Sequence, residues 1–115
     1  MDLKTLDSKI KAFAKERDWD QYHSPKNLSM ALIGEAAELI EEFQWLTEEQ
    51  SRNLEPEKIS KVKDELGDIF IYLLRISGVL GVDILEAANE KFKKNEQKYP
   101  ADKCRGSSKK YNEYE

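Results

Sequence analysis

The sequence predicts an all-α fold, an antiparallel four-helix bundle-like subunit, and three observations predict it. Apolar residues recur with the 3.6-residue period along most of the chain, strand-like alternation is almost absent, and a helix-start signal precedes most periodic runs. At 115 residues the chain is expected to be one domain with a single modest core.

The first helix is predicted from about Asp2 to Arg17, with Leu3, Leu6, Ile10, Phe13 and Ala14 on one face. A link from Asp18 to His23 follows. Ser24-Pro25 opens the second helix, because serine caps a free N–H and proline is tolerated at the first helical position. That helix is expected to reach about Trp45. The polar stretch from Leu46 to Glu57 reads as a connection, with a single helical turn begun by Thr47 and Gln50. The third helix runs from near Pro56 to about Leu80, where Gly78 and Gly81 mark its end. Asp83, with Glu86 three residues on, starts the fourth, which stops before Tyr99-Pro100. Residues 1–100 are thus read as the helical domain. Residues 101–115 are read as a basic Ser/Lys-rich tail without stable structure of its own.

The two long helices carry more apolar face than one subunit covers. Ile33, Ile40, Ile71 and Leu74 lie beside the main stripes and are expected to meet a second copy, so a homo-oligomer is predicted. The net charge of −4 argues against nucleic-acid binding, although Lys91 to Lys110 form a basic quarter. One cysteine, Cys104, allows neither an internal disulfide nor a thiolate zinc cluster. With no apolar leader after Met1 and no run long enough to span a membrane, a cytoplasmic protein is expected.

Two pairs of acids carry the chemistry. Glu35-x-x-Glu38 and Glu65-x-x-Asp68 interrupt apolar helical runs at a spacing that sets both carboxylates on one face. At about 100° per residue, Glu35 falls well inside the apolar arc of Leu28, Leu32, Ala36, Leu39, Ile40 and Phe43. Glu65 sits at the margin of the stripe of Ile59, Val62, Leu66, Ile69, Phe70, Leu73 and Ile76. Packing the two helices together would gather four carboxylates, which repel one another unless a cation sits among them. An oxygen-only set suits Mg²⁺ or Mn²⁺ and not zinc. Such a metal polarises phosphoryl oxygens and activates water.

Other residues fit a substrate near that metal. Tyr72 lies on the face of Glu65, and Trp19 and Trp45 could sandwich a base. His23, the sole histidine, could bond a base or sugar. Lys91 and Asn95 share a helix face, and Lys109 and Lys110 offer charge to a polyphosphate. Each taken singly also reads as a core aromatic, a loop histidine or a solvated lysine. No Gly-rich phosphate loop, GxGxxG, HExxH or Ser-His-Asp set is present, so metal and basic side chains must hold any phosphate.

Gly34-Glu35-Ala36-Ala37-Glu38 followed by Asp64-Glu65-Leu66-Gly67-Asp68 resembles the metal-binding signature of the MazG-like, all-α nucleoside triphosphate pyrophosphatases. Glu16-Arg17-Asp18-Trp19, Tyr22 to Leu28, Phe43-Gln44-Trp45, Ile71-Tyr72-Leu73, Asn95, Tyr99-Pro100 and Ser107 to Tyr111 resemble its dCTP pyrophosphatase branch. The resemblance implies that Glu35, Glu38, Glu65 and Asp68 carry Mg²⁺ and a triphosphate, yielding a nucleoside monophosphate and pyrophosphate. It implies that Trp19, His23 and Trp45 enclose base and sugar, with Tyr72 under the deoxyribose. Lys91 and Asn95 match positions that contact phosphate or complete the site, and the tail bearing Lys109 and Lys110 matches one that covers the phosphates. Dimers or tetramers are implied, and a role in cleaning the nucleotide pool. Glu38 or Glu35 would take the water's proton.

Two departures bear on base choice: Ile10 stands where some relatives have His, and the Leu46–Glu57 connection is shorter and lacks their extra Trp. Beside the dCTP reading stand a broader MazG-like or dUTP-type pyrophosphatase, and a non-catalytic helical module whose acids bind a basic partner.

Overall fold

The computed structural model describes residues 1–107, and every regular element among them is helical. Helix α1 (Leu3–Glu16) starts at Asp2, whose carboxylate accepts the Thr5 N–H at 2.8 Å. One 3-10 turn, Asp20–Tyr22, precedes α2 (Pro25–Glu41). Ser24 accepts the Asn27 N–H, and Pro25 takes the first helical position, where an N–H would lack a partner. Thr47 and Gln50 cap each other's backbone and open the short α3 (Glu48–Arg52). Helix α4 (Pro56–Leu80) closes on Gly81 at φ 69°, a left-handed position that costs a residue without Cβ little. Asp83 caps α5 (Ile84–Lys98) through the Glu86 N–H, and α6 (Ala101–Cys104) follows.

The chain divides into two compact units, Met1–Val82 and the part from Asp83 onward. In the first, α2 and α4 lie side by side and antiparallel. His23, just before α2, meets Arg75 late in α4, whereas Glu42, just after α2, meets Lys58 early in α4. Helix α1 also packs on α4, close to Gly78: a Cβ there would lie 3.3 Å from the Cε of Lys11. Ala14, Leu28 and Leu74 are the fully buried apolar side chains among the described residues, one from each of these three helices.

The all-α class and the antiparallel pairing of the long helices are as the sequence predicts. Several details differ. Helix α2 stops at Glu41 rather than near Trp45, because Phe43 N–H turns back to the Ile40 carbonyl and tightens the chain into successive turns. Ala101–Cys104 is helical rather than structureless, its first turn closed by the Pro100 carbonyl accepting from Lys103 and Cys104. Leu74, expected at a partner's surface beside Ile33, Ile40 and Ile71, is buried, whereas those three are exposed; Ile59, Leu66 and Phe70, expected in the core, are exposed. Helix α1 packs on α4, and the buried line of this unit runs through Ala14, Leu28 and Leu74. Ile33 at 70% and Ile40 at 59% exposure keep an apolar face open on α2.

Candidate metal centre

Glu35 and Glu38 occupy consecutive turns of α2, and Glu65 and Asp68 consecutive turns of α4. The antiparallel register places both pairs at mid-height, between the His23–Arg75 contact and the Glu42–Lys58 contact. One carboxylate oxygen from each of the four lies within 4.8 Å of the other three. Glu35 and Glu65 are half-buried, and Glu38 and Asp68 form the exposed rim.

The electrostatics of this cluster suit a cation. One oxygen of Glu35 and one of Glu65 are buried with no hydrogen-bond partner among the described residues. A buried acceptor without a partner costs free energy unless something electropositive satisfies it. Burial raises the Glu65 carboxyl to about 7, helped by a proton-sharing contact and charge repulsion from Glu38 and by the charges of Glu35 and Asp68. Burial likewise raises Glu35, reinforced by Glu38 and Asp68. With oxygen donors alone, and no His or Cys among them, the residues fit a hard divalent cation.

The acid stripe of α4 continues upward. Tyr72, half-buried, lies seven residues past Glu65, and Arg75 seven past Asp68, so all four share one face. Arg75 is about 10 Å further along the axis than Asp68. Its side chain is 11% exposed, its Nε donates to Nδ1 of His23 at 2.9 Å, and a terminal nitrogen donates to Oδ1 of Asp20. Burial lowers the His23 pKa, the Arg75 charge lowers it further, and Asp20 opposes both.

Trp19 stands beside this trio, its ring 6.3 Å from that of His23 and edge-on to Phe13 at 5.6 Å. The end of α1 sets it there. Asp18 takes a left-handed φ of 56°, its N–H donates to the Lys15 carbonyl, and the Trp19 N–H donates to the Ala14 carbonyl. This is a Schellman closure, with the Phe13–Trp19 contact as its apolar clasp.

Of the residues the sequence singles out, the structure thus gathers the four acids at one height and Trp19 with His23 at another. Trp45 does not join them. It lies beyond the far end of α2, a helix about 25 Å long, and is 86% exposed, so one chain cannot sandwich a base between Trp19 and Trp45. Lys91 and Asn95 share a face of α5, in the second unit. Lys109 and Lys110 lie outside the described residues. A groove of about 710 Å³ lies elsewhere, along α3 and the start of α4, lined in part by Leu46, Gln50, Leu54 and Lys61, and contains none of the four acids.

Sequence reading misses Arg75 and Asp20. The signal for Arg75 is present, since it repeats the seven-residue step from Asp68, but an arginine on an apolar helix reads as a solvated edge until its partners are seen.

A model of the MazG-like family matches residues 33–114. The chain is 42% identical over 103 residues to dCTP pyrophosphatase 1 of Homo sapiens, covering 88% of this chain and 61% of that protein. It is 43% identical over 101 residues to dCTP pyrophosphatase 1 of Mus musculus, covering 86% and 59%. It therefore spans about three-fifths of the length of these curated relatives. A crystal structure of a pyrophosphatase from Archaeoglobus fulgidus superposes with a TM-score of 0.81 at 35% identity, covering 85% of this chain and 92% of that one. The matched segment contains all four clustered acids, and the chain belongs to the MazG-like family.

Proposed function

We propose that the protein is a Mg²⁺-dependent pyrophosphohydrolase that cleaves dCTP, or related modified deoxynucleoside triphosphates, to the monophosphate and pyrophosphate. One observation carries the reading: four carboxylates converge within 4.8 Å and two buried oxygens have no hydrogen-bond partner among the described residues. Relatives named dCTP pyrophosphatase support the substrate.

Glu35, Glu38, Glu65 and Asp68 would hold the metal. A bound divalent cation supplies charge neutralisation at the phosphates and an activated water. Glu38, at the exposed rim, or Glu35 takes the attacking water's proton on a carboxylate oxygen. Tyr72 sets its ring under the sugar and favours deoxyribose, and Trp19 and His23 form the base end. Lys91, Asn95, Lys109 and Lys110 are assigned to phosphate contact or site completion by the resemblance alone.

The working assembly is a homo-oligomer, a dimer or tetramer, in which the exposed Ile33 and Ile40 are covered and a second copy's Trp45 meets the base end. A cytoplasmic role in cleaning the nucleotide pool fits a chain with one cysteine. Among the described residues no helix is long and apolar enough to cross a membrane.

The deciding experiment is pyrophosphate release with and without Mg²⁺, in the native chain and in Glu35→Gln and Asp68→Asn. Equal turnover of dCTP and CTP overturns the deoxyribose assignment, and preference for dUTP favours the dUTP-type alternative. No release from any common triphosphate leaves the non-catalytic module as the better reading.

A further inference from the structure

Arg75 bridges two groups that are more than fifty residues away in sequence, and its chemistry dictates the state of one of them. A guanidinium only donates hydrogen bonds. Because the Arg75 Nε–H points to Nδ1 of His23, that nitrogen must be bare, and a neutral ring then carries its proton on Nε2. The fork's other arm is anchored on Asp20, in the 3-10 turn that leads into His23, so ring and backbone are held by one rigid plane. Trp19 stands beside the imidazole. Charged groups facing the ring are Arg75 from α4 and Asp20 from the turn.

We propose that Arg75 is a positioning residue of the base end: by spanning His23 and Asp20 it locks the imidazole with its proton on Nε2, so that the ring offers the nucleotide one hydrogen-bond donor in one orientation. The proposal rests on the nucleotide reading of the site and adds a residue to it. Arg75 lies about 10 Å along α4 from Asp68, far enough to leave the phosphate chemistry alone and near enough to set how a base sits. A donor fixed at this end meets an acceptor such as a pyrimidine carbonyl, and a ring free to rotate would not hold that bond in register.

His23 is the sole histidine, so its two ring nitrogens are read from a ¹⁵N-labelled sample without assignment. In the native, substrate-free protein the Nε2-protonated tautomer is expected, with a titration below 6.5. Arg75→Met removes both bonds and the charge. The titration is then expected to rise, and KM for the nucleotide to increase roughly threefold to tenfold with kcat within about twofold, the size of one lost hydrogen bond. Arg75→Lys keeps the cation and N–H donors but not the planar fork, and should restore most of the titration shift and part of the KM. Circular dichroism checks that each variant keeps its helices.

A native His23 protonated on Nδ1 overturns the proposal. So does an Arg75→Met enzyme with native KM, or one that loses kcat and keeps KM. If the native chain releases no pyrophosphate, the nucleotide reading fails and Arg75's role falls with it. The tautomer, measured without substrate, separates that outcome from a failure of the geometry itself.

Discussion

Glu42 Oε2 lies 3.4 Å from Lys58 Nζ, whereas Glu35, two turns earlier on the same helix, has a buried oxygen with no partner. The two acids of α2 therefore do different things. Glu42 is neutralised within the protein and belongs to the fold, and Glu35 is left for a cation to satisfy. Glu42→Gln should cost stability, about 1 kcal/mol or less, and keep Mg²⁺-dependent pyrophosphate release. Glu65→Gln should do the reverse. It relieves carboxylate repulsion, so the metal-free protein melts higher, while pyrophosphate release falls at least about a hundredfold. Melting curves in chelator alongside the release assay check both variants. A Glu65→Gln protein that melts lower without metal would contradict the assignment.

The pH response of the metal-free protein has a definite sign. Glu65 is raised from 4.5 to about 7, so between those values the folded state holds a proton that the unfolded chain has lost. Stability from this group is complete below 4.5 and is lost as pH rises through about 7. Glu35, raised in the same direction, adds to the fall. Mg²⁺ replaces the proton and should flatten the curve. Thermal melts across that interval, in chelator and in Mg²⁺, decide it. A metal-free stability that climbs with pH across the interval would show that the cluster is not under strain.

Competition between proton and metal also has a calorimetric signature. Mg²⁺ binding below about pH 7 should release protons, and affinity should rise with pH until that point and then level off. Titrations in buffers of different ionisation enthalpy measure the protons released. None released at pH values below about 7 would argue for carboxylates already ionised.

Leu74→Ala should cost about 2–5 kcal/mol, because Leu74 is 3% exposed on the buried line of the fold. If the chain assembles through the α2 face as proposed, Ile40→Glu should leave the helices intact and lower the assembled mass, since Ile40 already faces outward in the single chain. Denaturant melts read the first and light scattering the second. An Ile40→Glu protein with unchanged mass would remove Ile40 from the proposed interface.

Asp18→Ala should cost about 1 kcal/mol, because alanine resists the left-handed φ and drops the hydrogen bond that Gln21 donates to the Asp18 carboxylate. KM for the nucleotide should rise with it as Trp19 loosens. A destabilised variant with native KM would detach Trp19 from the base end.

The acid pairs and the helices that carry them are legible in the sequence because both are periodic: i, i+3 carboxylates inside apolar runs signal a face without reference to any distant residue. The caps at Asp2, Ser24, Thr47 and Asp83 are legible for the same local reason. Leu74 is not, since its burial depends on α1 arriving over the last turns of α4, close to where Gly78 leaves room. The Asp20–His23–Arg75 cluster spans 55 residues, and no local pattern announces such a contact. The separation of Trp19 and Trp45 is legible, because the sequence already sets them at opposite ends of the second helix, a length that the sandwich reading overlooks.

If the chain binds a nucleotide as proposed, the Schellman turn at Asp18 shapes how binding free energy is distributed along it. Trp19 is clasped to Phe13 by the way α1 ends, and His23 is clasped by Arg75, so both rings surrender their rotational freedom when the chain folds. A base arriving there has little further entropy to lose. The acid end is the opposite, a knot of mutual repulsion that relaxes only when a proton or a metal ion enters. On the proposed reading, selectivity would be set in advance at one end of α4 and turnover gated by metal at the other.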